Sequence, residues 1–232
     1  MKWLYALLLL LSIVVPFALS FDKKLHFYKQ WNRILPSITL VAGVYIIFDA
    51  CFTHLGVWGF NPSYYSSRLI FGLPLEEWLF FFVIPYASLF IHYSFFLYFP
   101  NQHFNARFGK VLTLLLMLLF TVILIYQLEK MYTVYVLSFL LVGLLLSFFD
   151  RSRSIDKLYV SFLIILIPFL IVNGILTGSF IDSEVVWYNP AEIIGMRIFT
   201  IPIEDFAYGF SMILFNVLII EWMNFKSITN NA

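Results

Sequence analysis

The sequence predicts an all-α integral membrane protein: seven transmembrane helices, arranged as two parallel three-helix repeats joined by a connector helix. Three observations carry that expectation. Of 232 residues, 62% are hydrophobic and only 12% charged, far from the balance of a soluble domain. Seven apolar stretches, roughly 3–20, 35–53, 76–99, 110–127, 132–149, 157–177 and 204–222, approach the about 20 residues that a span requires. Finally, Trp58–Trp78 returns as Trp187–Phe206, each with Asn-Pro followed by Pro-x-acid-acid, and Pro74 follows Asn61 by thirteen positions just as Pro202 follows Asn189.

Taken in order, the first stretch has the lysine, apolar core and small residues of a cleavable leader, yet reads as a retained helix. It is long enough to span, and the basic cluster Lys23, Lys24, Lys29 and Arg33 follows it. It also has a partner, because "LSFDKK" at 19–24 returns as "LSFFDRSR" at 146–153. The second stretch carries Asp49 and Thr53, matched in the sixth by Asn173 and Thr177; the third opens on Glu76 and Glu77, matched in the seventh by Glu204 and Asp205. The fourth stretch has no counterpart and is the connector. The expected organisation is a first repeat over 1–100, a connector over 101–130 and a second repeat over 131–232. Equivalent helices lie four spans apart, so the repeats point the same way, related by an axis along the membrane normal. Pro16, Pro85 and Pro168 are expected to kink their helices.

Basic residues orient the spans. With the N-terminus outside and the C-terminus cytoplasmic, ten of the fourteen fall on the cytoplasmic side, against Lys2, Arg68, Lys130 and Arg197 on the other; the expected location is the plasma membrane. A net charge of +1 gives no reason to expect nucleic acid, and the single cysteine, Cys51, excludes an intrachain disulfide. His54 and His92 have no partner at metal-ligand spacing, and neither a glycine-rich phosphate loop nor a dinucleotide fingerprint occurs. No metal and no cofactor are expected.

The acidic pairs have two readings. Proline and acids suit the start of any helix, because the missing N–H is no loss there and the helix dipole favours negative charge. That account leaves the repeated loop length and Asn-Pro unexplained. Charge within the hydrocarbon costs roughly 2.5–3.5 kcal/mol at a helix centre and marks sites. Adjacent residues lie about 100° apart on a helix, so one acid of each pair faces inward; Glu76 and Glu204 are expected there. Two carboxyl groups sharing a dry space resist joint ionisation, which leaves a general acid beside a carboxylate base. Aromatic neighbours, including Trp78, Phe80, Phe206 and Tyr208, divide between lipid-facing anchors and walls that stabilise a cation while excluding water. Asp49 with Thr53, and Asn173 with Thr177, share a helix face at i, i+4 and either orient the acids or satisfy one another. Arg68 and Arg197, in the two Asn-Pro loops, are candidate counter-charges.

At "FDACFTHLGVWGFNP", "GLPLEEWLFFFVIPY" and "WYNPAEIIGMRIFTIPIEDFAYGF", the sequence resembles the lycopene cyclase domain family of membrane carotenoid cyclases, in its fused form and over nearly the whole chain. The resemblance implies a lycopene β-cyclase, an isomerase-type enzyme of carotenoid biosynthesis that closes the linear ends of lycopene into β-ionone rings without net redox change and without flavin. Its acidic motif falls on Glu76, Glu77, Glu204 and Asp205, with Asp49, Thr53, Asn61, Trp78, Phe80, Asn173, Thr177, Asn189 and Tyr208 as supporting or substrate-binding candidates. The implied partners are the polyene, the lipid bilayer and other carotenoid-biosynthesis enzymes. One departure stands out: the second copy reads Ile-Glu-Asp-Phe where the first reads Leu-Glu-Glu-Trp, so the halves need not be equally catalytic.

Two rivals come from other classes. A parallel-repeat transporter would need a polar path across the bilayer, but the acids cluster on one side and the helix middles are Leu, Ile and Phe. A membrane prenyltransferase would hold magnesium and diphosphate with closely spaced aspartates and basic residues, normally on the cytoplasmic side.

Overall fold

The computed structural model describes residues 2–66 and 68–230, with side chains as far as 224. Its helices are α1 (Leu4–Leu19), α2 (Trp31–Leu55, entered through a 3-10 turn at Phe27–Gln30), α3 (Leu75–Tyr98), α4 (Ala106–Tyr126), α5 (Met131–Ser147), α6 (Ser154–Leu176) and α7 (Ile203–Asn230). Among the described residues, five apolar segments are long enough to cross a membrane: Phe27–Leu55, Leu75–Tyr98, Ala106–Tyr126, Ser154–Leu176 and Ile203–Asn224. The helices α1 and α5 are equally apolar but have 16 and 17 residues, about 24 and 26 Å at about 1.5 Å per residue. That falls short of the roughly 30 Å hydrocarbon core. These two short helices are counterparts in the repeat.

Runs of this polarity form helices because each backbone N–H and C=O is then satisfied within its own segment. Their ends follow local chemistry. Gly56, at φ +72°, closes α2 in the left-handed conformation that suits glycine; the Asn105 side chain accepts from the Phe108 N–H and starts α4. The core is concentrated on α7, whose Leu214 and Val217 are fully buried beside Leu144 of α5, Leu158 of α6 and Leu89 of α3. The connector α4 contributes only Gly109 and Thr113 as buried positions.

The fold is mostly helical, as expected, and among the described residues the loops add short strands. The two Asn-Pro loops form six short strands: β1 (Trp58–Phe60), β2 (Leu69–Ile70), β3 (Leu73–Pro74), β4 (Val186–Tyr188), β5 (Arg197–Ile198) and β6 (Ile201–Pro202). Backbone groups in partly buried loops need partners, and here the loops supply them to each other. β2–β3 and β5–β6 are antiparallel hairpins, each running directly into an acid-bearing helix. β1 and β4 join the two halves, pairing Trp58 with Tyr188, Gly59 with Trp187 and Phe60 with Val186. Gly59 and Trp187 are counterparts in the repeat, so an approximate two-fold axis passes through that pair. The flanking bonds obey it: Asn61 N–H donates to Val185 O at 2.8 Å, and Asn189 N–H to Val57 O at 2.8 Å. The loop turns repeat too, with the Asn61 side chain accepting from Ser63 N–H and the Asn189 side chain from Ala191 N–H, both at 3.0 Å.

Candidate active site

Both hairpins deliver an acidic pair to the first turn of a helix, α3 or α7, where the dipole favours negative charge. The two acids of each pair then diverge. Glu76 turns back to the loop ahead of its hairpin, accepting from Ser66 N–H at 2.8 Å and Ser66 Oγ at 3.1 Å. Glu204 does the same, accepting from Ile194 N–H at 2.6 Å and from Thr133 Oγ1 at 2.8 Å. The expectation that Glu76 and Glu204 face the interior therefore needs correcting: both are buried, but they tie down the loops that precede them. The geometric reason is local, since a carboxylate in the first turn lies within reach of a loop N–H ten residues earlier, just ahead of the hairpin.

Glu77 and Asp205 take the inward direction. With Asp49 of α2, they line a chamber of about 70 Å³ walled by Tyr5, Trp58, Phe80, Tyr132, Phe169, Tyr188 and Tyr208. All three acids are buried. Tyr5 of α1 donates to Glu77 at 2.5 Å. The Trp58 indole N–H donates to Asp49 Oδ1 at 2.7 Å, while Asp49 Oδ2 has no partner among the described residues. Asp205 accepts three bonds, from Tyr132 at 2.6 Å, Tyr188 at 2.9 Å and Asn173 at 2.9 Å. That donor set satisfies an ionised carboxylate. Burial, and then the neighbouring Asp205, push the Tyr188 phenol well above its usual range, so it remains a hydrogen-bond donor.

The chamber adjoins a second, apolar space of about 300 Å³ between α1, α3, α6 and α7. Phe80, Ile84, Phe169, Asn173, Gly209 and Met212 line both. Leu11, Val15 and Pro168, which border the outer space, are exposed on the apolar surface, so the cleft opens sideways between α1 and α6. An acid-lined pocket at the closed end of a greasy, laterally open cleft suits protonation of a hydrocarbon with water excluded. The aromatic faces around it suit a developing cation.

Of the supporting candidates, Asp49, Phe80, Asn173 and Tyr208 line the chamber. Asn173 orients an acid through its bond to Asp205, whereas Thr53 Oγ1 has no partner among the described residues and Thr177 bonds the Asn173 carbonyl and Thr200. Asn61 and Asn189 hold the loops: Asn61 donates to Ser183 and Asn189 to the Gly56 carbonyl. Trp78 lies outside, its indole bonded to the Ile70 carbonyl beside Phe71. Arg197 donates to the Thr200 carbonyl and sits over the Tyr188 ring, so it meets the acids only through that tyrosine. Tyr5, Trp58, Tyr132, Tyr188, Phe169 and Gly209 were not expected. Tyr5 and Tyr132 carried a usable signal, since they occupy equivalent places at the starts of α1 and α5. Among the described residues, no group of three or more His, Cys, Asp or Glu is placed to hold a metal ion.

A family model described as lycopene cyclase matches the chain twice, over residues 2–96 and 129–223. No curated protein and no solved structure matches.

Proposed function

The chain belongs to the lycopene cyclase family, and from that premise we propose that it closes the ends of lycopene into β-ionone rings by acid catalysis, as an isomerase that needs neither cofactor nor net redox change. The observation that carries the reading is the meeting of three buried carboxyl groups in an aromatic chamber at the closed end of a laterally open apolar cleft. A polyene end enters from the bilayer between α1 and α6. Glu77, in its protonated form and oriented by Tyr5, gives its hydrogen to the terminal carbon–carbon double bond and leaves a tertiary cation. An internal double bond attacks that cation and closes the six-membered ring, which moves the positive charge onto a ring carbon. Asp205 removes a ring proton, the double bond reforms, and the proton balance is restored by transfer between the acids of the chamber. Asp49, one oxygen of which has no partner, is placed to share the proton with Glu77. Acid–base assistance supplies about 10² to 10⁴ in rate, and holding the flexible chain end in a near-attack shape supplies much of the remainder.

The same reading places all seven helices in the bilayer, α1 and α5 with local thinning, and puts the N-terminus outside and the C-terminus in the cytoplasm. Expression in a lycopene-accumulating host tests the function. Cyclic, yellow-orange product is the expected outcome, and a pigment profile that stays wholly lycopene rejects the reading.

A further inference from the structure

The repeat assigns each wall of the open cleft a counterpart in the other half. Helices α3 and α7 match at a spacing of 128, as between Glu77 and Asp205; α2 and α6 match at 124, as between Asp49 and Asn173; and α1 and α5 match at 127, as between Tyr5 and Tyr132. Among the small or slim residues that line the open cleft are Ser12, Ala87, Val172 and Gly209. At those spacings their counterparts are Phe139, Phe215, Phe48 and Phe81.

Those phenylalanines occupy the equivalent volume. The Phe139 ring lies 5.2 Å from Phe48, 5.6 Å from Tyr45 and 6.0 Å from Phe215, and Tyr45 lies 6.4 Å from Phe81. Tyr45 and Phe81 are almost wholly buried, at 1% exposure each. Close-packed rings leave no room for a chain of substrate size. On the open side, a Cβ built at Gly209 would meet Phe169 only at ordinary contact distance, 3.5 Å, so the space beyond belongs to whatever occupies the cleft.

We infer that this duplicated fold holds a single polyene channel, on the α1/α6 side, with Gly209 as the residue that keeps open the passage from cleft to acids; the other half is a filled support. The inference rests on the cyclase reading for its substrate and goes beyond it in assigning one channel. Both ends of a polyene then use the same acids, one after the other, and the half-cyclised chain must leave and return reversed.

The test is a set of plugs and a set of openings, scored in a lycopene-accumulating host for cyclic product and, on protein purified in detergent, for retained polyene per chain and thermal unfolding. Gly209→Phe copies its counterpart, and Ser12→Phe plugs from the opposite wall. Either is expected to lower mono- and bicyclic product together by about a hundredfold, the scale of misplacing a substrate, and to lower retained polyene with unfolding little changed. Gly209→Ala is expected to keep most of the product. Phe81→Leu and Phe215→Ala, on the filled side, are expected to leave yield and the mono-to-bicyclic ratio as they were. Wild-type yield and polyene retention in both folded plug variants would overturn the inference, as would loss of only one ring in them or a changed ratio in the filled-side pair. If the wild-type chain makes no ring yet retains polyene in a Gly209-dependent way, the cyclase reading falls and the channel stands.

Discussion

Glu77 and Asp205 occupy the same place in the two repeats, one residue after a buried glutamate that holds the preceding loop, and both face one chamber. Their surroundings differ. Among the described residues, Glu77 takes one donor, Tyr5, and stands near Asp49, one oxygen of which is bare. Asp205 is enclosed by three donors from α5, β4 and α6. A carboxyl group with few donors loses less by carrying its proton, while one with three is best satisfied as an acceptor. Duplication supplied two equivalent positions, and on the proposed mechanism the donors around them set an acid side apart from a base side.

The strongest way to break that comparison is to remove acidity on one side. Glu77→Gln keeps the shape and the Tyr5 contact but has no acidic hydrogen; product formation is expected to fall about 10² to 10⁴-fold, with protein level in membranes maintained. Glu76→Gln, one position earlier, is expected to retain turnover and to lower thermal stability by weakening the bonds to Ser66. If the two variants exchange phenotypes in pigment analysis, the division between inward acid and loop acid is wrong. Asp205→Asn follows in size. It turns an acceptor of three bonds into a side chain that is half donor, and the expected loss is about 10²-fold, the low end for a base, because Asp49 and Glu77 remain as proton acceptors. The same variant losing nothing in steady-state product yield would return the base role to another group.

The difference between legible and hidden features follows the same line. Apolar runs revealed the helices, and the Asn-Pro to Pro-x-acid-acid spacing revealed the repeat, because both are written in contiguous residues. Which acid of each pair faces inward was not legible. Neighbours on a helix differ by about 100°, so the sequence leaves two phases open, and the loop N–H groups of Ser66 and Ile194 decide between them. Tyr5 and Tyr132 reach acids more than seventy residues away, a contact that no local window contains. The strands were missed because each is two or three residues long, too short for an alternation to register.

A smaller effect sharpens the comparison by touching the donors alone. Tyr5→Phe removes the hydrogen bond to Glu77, leaving it short of a buried partner at about 1–3 kcal/mol, and the expected fall in kcat is about tenfold. Tyr132→Phe removes one of three donors to Asp205, with Tyr188 and Asn173 still in place; a loss near 0.5–1 kcal/mol gives about threefold. The ratio between the variants is the informative quantity. Equal losses in single-turnover rates would mean that both acids lean on their tyrosines alike, and the asymmetry would have to come from Asp49.

A last effect, on stability and not on turnover, lies on the axis itself, where the repeat places glycine in one half and tryptophan in the other. A Cβ built at Gly59 falls 2.4 Å from Trp187 Cζ2 and 2.6 Å from Cε2, closer than carbon atoms can pack. Gly59→Ala therefore forces the indole outward. Trp187 is 38% exposed and has somewhere to go, so the expected destabilisation is about 1 kcal/mol, the mild end of overpacking, read as a small drop in melting temperature. Combining it with Trp187→Ala removes the clash, and the double variant is expected to be no less stable than Trp187→Ala alone. Additive losses in that cycle would show that Gly59 is required for its backbone freedom and not for the approach of the ring, and the ribbon joining the halves would then owe its register to the Asn61 and Asn189 bonds on either side.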